Sequence, residues 1–217
     1  MLEFSNPKVL RERPPGPRLI KTHLTYDKVP KGNGFNNKIV FITRNPKDCV
    51  VSFYHHTTGF KQYEYEGDFA KYVEHFTLGE EWEFGSYFDY LKGWLPHLHD
   101  DNLLHMHYED MIKDHRGSVL KLANLLGGKA AELVRDTDKL QTVVSKSSFS
   151  EMKRNQPCYV PSELTRTFRD AQFIRQGRRG GWRDHLSKEQ SDKIDRRFQA
   201  YFRDTEAALW WREEMDC

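Results

Sequence analysis

The stretch that most constrains the fold is KIVFITRNPKDCVVSFY, residues 38–54. Its first six residues are mostly β-branched or aromatic, which favours a covered strand of a parallel sheet. Asn45 can cap a following helix, Pro46 suits the first helical position, and the acidic Asp48 falls in the first turn. A buried strand that leads directly into a helix predicts an α/β fold, with a parallel sheet flanked by helices.

The corner between this strand and helix has the chemistry of an anion site. Free N–H groups and the helix dipole favour an anion at a helix N-terminus. Arg44 adds a bidentate donor, and Ser52, seven residues beyond Asn45, returns to the same face of the helix after two turns. Together these side chains predict a clamp for a phosphate group. Taken alone, the stretch is equally typical of an ordinary strand-to-helix turn with a surface arginine.

Four other stretches accompany this corner: RLIKTHL at 18–24, HYEDM at 107–111, SSFSEMKRN at 147–155 and RQGRRGGW at 175–182. Leu19 and Ile20 predict a short strand, and His23 follows its carboxyl end. Ligands of open α/β sheets bind beyond the carboxyl ends of the strands, so His23 and Arg44 are expected at the same edge. A histidine there can act as a general base near neutral pH.

In this order the five stretches resemble the motifs of the cytosolic sulfotransferase family, which read KTHLP, RNPKDxxVSxYH, YEDM, TSFxEMKxN and RKGxxGDW. The resemblance runs from about Pro17 to Phe202. It implies a sulfotransferase architecture related to P-loop proteins, in a single domain over residues 1–217. Residues 1–16 are expected to be irregular, and the long aperiodic segment 156–174 is expected to be a lid loop.

The resemblance also implies an activity, which is transfer of a sulfuryl group to a hydroxyl of a small apolar acceptor such as a phenol, a steroid or another alcohol. The donor and co-substrate is 3′-phosphoadenosine 5′-phosphosulfate, and no metal is required. His23 matches the catalytic base of the family, and Lys21 matches the neighbouring cation. The positions that match nucleotide contacts are Arg44, Ser52, Tyr108, Ser147, Phe149, Met152, Phe173, Ile174, Arg175, Gln176 and Gly177.

Within this set, Arg44 and Ser52 are expected to hold the 3′-phosphate with help from Arg175 to Gly177, whose glycine lets backbone N–H groups approach an anion. Tyr108 and Phe149 are expected to enclose the base. Gln176 stands where the family has lysine, and Thr25 stands where it usually has proline. The first change removes one positive charge from the clamp.

The family begins with a strand and a phosphosulfate loop, T-x-P-K-S-G-T-x-W, and no such stretch precedes Pro17. We therefore expect an N-terminally truncated fragment of a longer product, or an inactive relative. The matched Lys21, His23, Arg44 and Ser52 favour the fragment. The alternative function is a catalytically inactive nucleotide-binding or scaffold protein. A weaker alternative is RNA binding through Arg178 and Arg179.

Composition excludes several broad classes. The net charge of +2 is too small to indicate general affinity for nucleic acid or membranes. The three cysteines form no disulfide framework, and the sequence has neither a membrane-spanning run nor a signal-peptide core, so a cytoplasmic location is predicted. His55–His56 and the pair His105 and His107 are read as structural, not as metal ligands.

A homodimer is the remaining partner prediction. The short dimer motif of the family, K-x-x-x-T-V-x-x-x-E, corresponds here to Arg183, Ser187, Lys188 and Asp192. Lys188 stands at the position of the valine, which weakens this route to a dimer.

Overall fold

A computed structural model describes residues 18–30, 37–79, 84–156 and 174–216 of the chain. Its central feature is a pair of parallel strands, β1 (Ile39–Thr43) and β2 (Leu103–His107). Ile39 pairs with Leu103 and Thr43 pairs with His107, so the two strands end side by side. The predicted parallel sheet flanked by helices is confirmed.

The helices surround this pair and are named here in chain order: α1 (Pro46–Gly59), α2 (Phe69–Leu78), α3 (Tyr87–Trp94), α4 (Tyr108–Lys113), α5 (His115–Leu126), α6 (Gly128–Leu133), α7 (Thr137–Lys146), α8 (Phe149–Arg154), α9 (Lys188–Phe202) and α10 (Arg212–Met215). Short 3-10 turns lie at Tyr26–Lys28, Lys61–Tyr63, Leu95–His97, Gly181–Asp184 and Glu206–Leu209.

The local signals in the first stretch act as predicted. Asn45 caps α1, because its side chain accepts a hydrogen bond from the backbone N–H of Asp48 at 2.8 Å, and Pro46 occupies the first turn. Helix α9 begins at a capping box formed by Ser187 and Gln190. Its apolar stripe of Ile194, Phe198 and Phe202 is buried.

One predicted element differs in the structure. Leu19 and Ile20 form no strand; Leu19 is 93% exposed, and no described strand pairs with the segment, so an apolar pair alone was not enough.

The bounds of two helices have local causes. A new helix, α7, begins after α6 because Asp136 caps its start by accepting from the N–H groups of Asp138 and Lys139. Helix α3 ends at Trp94, and Pro96 lies in the 3-10 turn that follows.

The core is dominated by aromatic side chains from α1, α2, α3 and α9, together with Phe41 of β1. One cation lies within it. Lys47 is fully buried and donates to Asp195 Oδ2 at 2.8 Å and to the carbonyl of Met215, and its ammonium lies 4.4 Å from the ring centroid of Trp182. A buried ammonium is costly unless it is paired, so these contacts tie α1 to the end of the described chain.

Some predictions fall on residues that lie outside the described ranges. They are the irregular segment 1–16, nearly all of the lid loop over 156–174, and the nucleotide contact assigned to Phe173.

Candidate active site

The site is built at the edge where β1 and β2 end. Arg44 and Asn45 follow β1, and Tyr108 and Glu109 follow β2. The backbone N–H and the side-chain amide of Asn45 both donate to Glu109 Oε1, at 2.9 and 2.7 Å. Because Asn45 and Glu109 are almost completely buried, these bonds fix the two strand ends against each other.

The same corner holds the late arginine- and glycine-rich segment in place. Asp48 is buried and accepts from the backbone N–H groups of Gly180 and Trp182, at 2.6 and 2.9 Å. Glu109 accepts a third bond from the indole of Trp211 at 2.9 Å. Two carboxylates, those of Asp48 and Glu109, therefore hydrogen-bond to residues more than one hundred positions away in the sequence.

A small polar cavity of about 180 Å³ opens between this corner and the late segment. Nine of the eleven nucleotide contacts proposed from sequence line it: Arg44, Ser52, Tyr108, Phe149, Met152, Ile174, Arg175, Gln176 and Gly177. Asp48, Arg178 and Gly181 complete its wall. The structure therefore brings together residues from four separate sequence stretches around one space.

The electrostatics of this cavity suit an anion. Arg44 stacks over the Tyr108 ring at 4.4 Å, and its Nε atom is buried with no hydrogen-bond partner among the described residues. Burial, together with the positive charges of Arg44 and Arg178, lowers the pKa of Arg175. Cations crowded together with an unused buried donor are stabilised by a bound anion, and a phosphate group supplies the acceptor oxygens.

At Gly177, the backbone comes very close to the side chain of Phe149 on the wall of this cavity. The φ of Gly177 is +60°, and a Cβ atom added there would lie 2.1 Å from Cδ2 of Phe149. Only glycine adopts this backbone conformation without strain and leaves room for the ring. The Phe149 ring is consequently held against the loop, at the edge of the same cavity as Tyr108.

A second and larger cavity of about 430 Å³ adjoins the first and has a mostly apolar wall. Its aromatic and aliphatic lining consists of Phe41, Ile42, Phe53, Phe60, Phe76, Phe84, Tyr87, Tyr90 and Leu91. Lys21 and His23 lie on its wall, and the His23 ring is 4.0 Å from that of Phe84. The pair proposed as base and neighbouring cation thus lies beside an apolar space of small-ligand size.

The two cavities share part of their walls. Arg44, Ser52 and Arg175 line both of them. A group bound in the polar cavity and one bound in the apolar cavity would meet at these three residues. This arrangement is suited to transfer between two bound molecules.

Sequence reasoning missed several residues of the apolar cavity. His55, His56 and Cys49 all line it. Burial lowers the pKa of His55 and of His56 to about 4, so both rings are neutral near pH 7, and burial raises the pKa of the Cys49 thiol to about 11. Their spacing along one face of α1, next to Ser52, is the signal that could have placed them there.

One of the proposed contacts lies elsewhere. Ser147 does not line either cavity described here; its hydroxyl meets the Val143 carbonyl at 2.7 Å and His115 Nε2 at 3.0 Å. His105 and His107 each meet the Thr43 hydroxyl, at 2.8 and 2.9 Å, and pack against Trp210. The two histidines therefore have the structural contacts expected of them.

The described part of the chain contains no group of three or more His, Cys, Asp or Glu side chains arranged to hold a metal ion. Within the same residues, no helix has both the length and the apolar character needed to cross a membrane.

Comparison with known proteins decides the family. The model of the sulfotransferase domain family matches residues 3–206. The chain belongs to the sulfotransferase family. Amine sulfotransferase of Oryctolagus cuniculus is 34% identical over 216 residues, which is 97% of this chain, and sulfotransferase 1E1 of Rattus norvegicus is 36% identical over 202 residues, which is 91% of it. This sulfotransferase-family chain spans 69% of the length of the first and 65% of the second.

Solved sulfotransferase structures share the fold. Mouse sulfotransferase SULT7A1, complexed with PAP, matches with a TM-score of 0.80 and 28% identity over 95% of this chain and 72% of its own. Retinol dehydratase, in complex with androsterone and the inactive cofactor PAP, matches with a TM-score of 0.79 and 27% identity over 92% of this chain and 57% of its own. The sulfotransferase architecture predicted from the sequence is confirmed.

Proposed function

We propose that this member of the sulfotransferase family transfers a sulfuryl group from 3′-phosphoadenosine 5′-phosphosulfate to a hydroxyl of a small apolar acceptor. The observation that carries the proposal is the pair of adjoining cavities with Arg44, Ser52 and Arg175 in their common wall. One cavity is basic and partly aromatic and fits a nucleotide phosphate and ring. The other is apolar and carries a histidine and a lysine.

The residues of the polar cavity fit the donor. The unused Nε of Arg44 and the neighbouring Arg175 supply charge for the 3′-phosphate, and Ser52 supplies a hydroxyl. Tyr108 and Phe149 offer ring faces to the base, and Gly177 lets the backbone approach closely. The donor brings the activated sulfuryl group, and the protein contributes positioning and charge neutralisation.

On the acceptor side, His23 takes the proton of the attacking hydroxyl as the oxygen bonds to sulfur, and Lys21 neutralises charge that develops on the transferring group and its leaving phosphate. The apolar wall excludes water, which would otherwise compete for the sulfuryl group. The cytoplasmic location and the homodimer stay predictions. Lys188 of the weakened dimer motif is engaged within its own helix, at 2.9 Å from Asp192.

The test is transfer of labelled sulfuryl from the donor to 2-naphthol, with nucleotide affinity measured separately by calorimetry. Because residues 1–217 contain no T-x-P-K-S-G-T segment, the assay uses the chain joined to the phosphosulfate-loop segment of a relative. We expect labelled naphthyl sulfate from this loop-restored protein and about 100-fold lower turnover from its His23→Ala variant, with unchanged affinity for 3′-phosphoadenosine 5′-phosphate. His99→Ala is the matched control, since the His99 side chain is 84% exposed and lies outside both cavity linings.

The alternative, a nucleotide-binding protein without transfer activity, predicts a different result. The loop-restored protein would then bind the nucleotide yet yield no labelled product. The RNA-binding alternative is not favoured by the surface of the late segment, because Arg178 pairs with Asp184 and Arg179 pairs with Glu214.

A further inference from the structure

The last described residues form a strap that contacts both sides of the polar cavity without lining it. The strap comprises residues 211–216, and none of these six residues is part of either cavity wall described above. It begins at Trp211, whose side chain is buried, and continues through α10 to Asp216. Its role in the molecule therefore depends on what its contacts hold in place.

On one side the strap is bonded to the corner between β1 and α1. The indole N–H of Trp211 donates to Glu109 Oε2 at 2.9 Å, and the other carboxylate oxygen of Glu109 accepts from Asn45. The carbonyl of Met215 accepts from the buried ammonium of Lys47, which lies in the first turn of α1. These contacts join the strap to the elements that carry one wall of the cavity.

On the other side the strap is bonded to the late arginine- and glycine-rich segment. The indole N–H of Trp182 donates to the carbonyl of Glu214 at 2.8 Å, and Arg179 pairs with the Glu214 carboxylate at 3.3 Å. The guanidinium of Arg183 donates to the carbonyl of Asp216 and lies 4.5 Å from the centroid of the Trp182 ring. The strap thus holds this segment through both its backbone and a side chain.

Residues that line the cavity and residues that contact the strap alternate along the late segment. Gly177, Arg178 and Gly181 line the cavity, whereas Arg179 and Trp182 contact the strap. Because Gly181 and Trp182 are adjacent in the chain, a displacement of the Trp182 ring also moves the cavity wall. The strap therefore acts on the cavity through this segment.

The strap begins at a strained residue. Trp211 has a φ of +57°, in the left-handed region that residues with a Cβ atom rarely adopt. Such a conformation costs free energy and persists only where the surrounding structure fixes it. Here the burial of the indole and its bond to Glu109 fix it, and α10 starts at the next residue.

We propose that the strap positions the two halves of the phosphate clamp, Arg44 with Ser52 and Arg175 to Gly177, at the separation that lets both contact the 3′-phosphate of the nucleotide. This inference rests on the proposed function, because it takes the polar cavity as the nucleotide site. Asp48 already joins the corner to the late segment, and the strap is a second tie between the same two walls. Clamp residues held at a fixed separation bind their ligand without a further cost of ordering.

The experiment measures binding by calorimetry with two probes, 3′-phosphoadenosine 5′-phosphate and adenosine 5′-monophosphate, which lacks the 3′-phosphate. The native chain is compared with a truncated chain that ends at Trp211. We expect truncation to weaken binding of the first probe about tenfold, which is the effect of losing one hydrogen bond to a charged group, and binding of the second by less than about threefold. A general loss of structure would weaken both probes alike, so the ratio of the two affinities separates positioning from stability.

Trp182→Phe is the second variant, and it decides the test if the truncated chain does not fold. It removes the indole N–H that bonds to Glu214, retains an aromatic ring near Lys47 and keeps the backbone N–H bond to Asp48. We expect the ratio of affinities to fall about threefold, since one tie of the strap is lost and the others remain.

Val73→Ala is the matched control for stability. Val73 is a buried residue of α2 that lines neither cavity, so its truncation destabilises the core without touching the strap. Thermal melts establish that each variant is folded at the temperature of the binding measurement. The ratio of affinities should be the same in Val73→Ala as in the native chain.

The outcomes are distinct. A native ratio in Trp182→Phe or in a folded truncated chain overturns the proposal, as does an equal fall of the ratio in Val73→Ala. Absence of nucleotide binding by the native chain overturns it as well. Because the readout is binding, it is separate from the transfer assay. Strap variants that lose the ratio, in a protein whose loop-restored form transfers no sulfuryl group, contradict the proposed transfer and leave the role of the strap standing.

Discussion

The two cavities differ in how their walls are made. The polar cavity is built from backbone corners and charged side chains, fixed by buried hydrogen bonds of Asn45, Asp48 and Glu109. The apolar cavity is built from rings that pack on one another with few polar contacts. Hydrogen bonds are directional and depend on particular residue types, whereas apolar packing tolerates exchange of side chains of similar size. The wall of the polar cavity is therefore specified rigidly, and the wall of the apolar cavity is open to variation.

The largest expected effect tests the charge of the polar cavity. Arg44→Ala removes the guanidinium whose buried Nε has no hydrogen-bond partner among the described residues, and we expect the binding of 3′-phosphoadenosine 5′-phosphate to weaken by about 2–4 kcal/mol. Acceptor affinity, measured without nucleotide, should change far less. Calorimetry measures both, with Arg196→Ala, an exposed arginine on α9, as the control. Unchanged nucleotide affinity would show that the corner is an ordinary turn and does not bind the nucleotide.

A smaller effect is expected from the tether between the corner and the late segment. Asp48 accepts a backbone N–H with each of its carboxylate oxygens. Asp48→Asn replaces one of these oxygens with an NH2 group, which cannot accept a hydrogen bond. One buried N–H donor is then left unsatisfied, at a cost of about 1–3 kcal/mol. Stability and nucleotide affinity should fall together, as seen by thermal melts and calorimetry.

Asp184→Asn provides the comparison for Asp48. Asp184 pairs with Arg178 at the surface and its side chain is 60% exposed, so its loss should cost little. Equal destabilisation by the two variants would show that Asp48 does not hold the loop.

The smallest expected effect is a loss of stability at acid pH. It should arise at the apolar cavity and not at the polar one. The folded-state pKa values of His55 and His56 are lowered to about 4 by burial. Below about pH 6.5, an unfolded chain takes up protons that the folded chain does not, so stability falls as the pH drops from about 6.5 to about 4. We expect the melting temperature to fall by roughly a few degrees between pH 7.5 and 5.5.

His56→Phe removes one of these titrating groups and should make that pH dependence shallower. The arginines of the polar cavity remain charged throughout this range, so nucleotide affinity should change less than acceptor affinity does. An identical slope in the native chain and the variant would show that His56 takes no part in the effect.

The same contrast explains what the sequence could predict. The corner was predictable because Arg44, Asn45, Pro46 and Asp48 are consecutive or nearly so, and each acts through local backbone geometry. The wall of the apolar cavity was not predictable, because Phe41, Phe60, Phe76 and Phe84 come from separate segments. A ring that lines a cavity has the same sequence signature as one that fills the core; Phe76 is 4% exposed and does both.

At two places the structure differs from what the sequence pattern suggests, for related reasons. Ser147 lies in a stretch that matched the family motif, yet its hydroxyl bonds to the preceding helical turn and to His115, which a linear motif cannot reveal. Leu19 and Ile20 have the residue types of a strand, but strand formation depends on a partner, and the pairing of distant segments is not encoded in either one.

The burial of Lys47 affects the order in which the protein folds during synthesis. This lysine lies in the first turn of α1, immediately after Arg44 and Asn45 at the end of β1. Its partners are Asp195 and the carbonyl of Met215. During synthesis, the residues of the corner leave the ribosome long before these partners do. Until residue 215 has emerged, the ammonium must stay in water, so α1 cannot settle into its final place in the core. The corner is encoded before its partners, so its assembly waits for Asp195 and Met215.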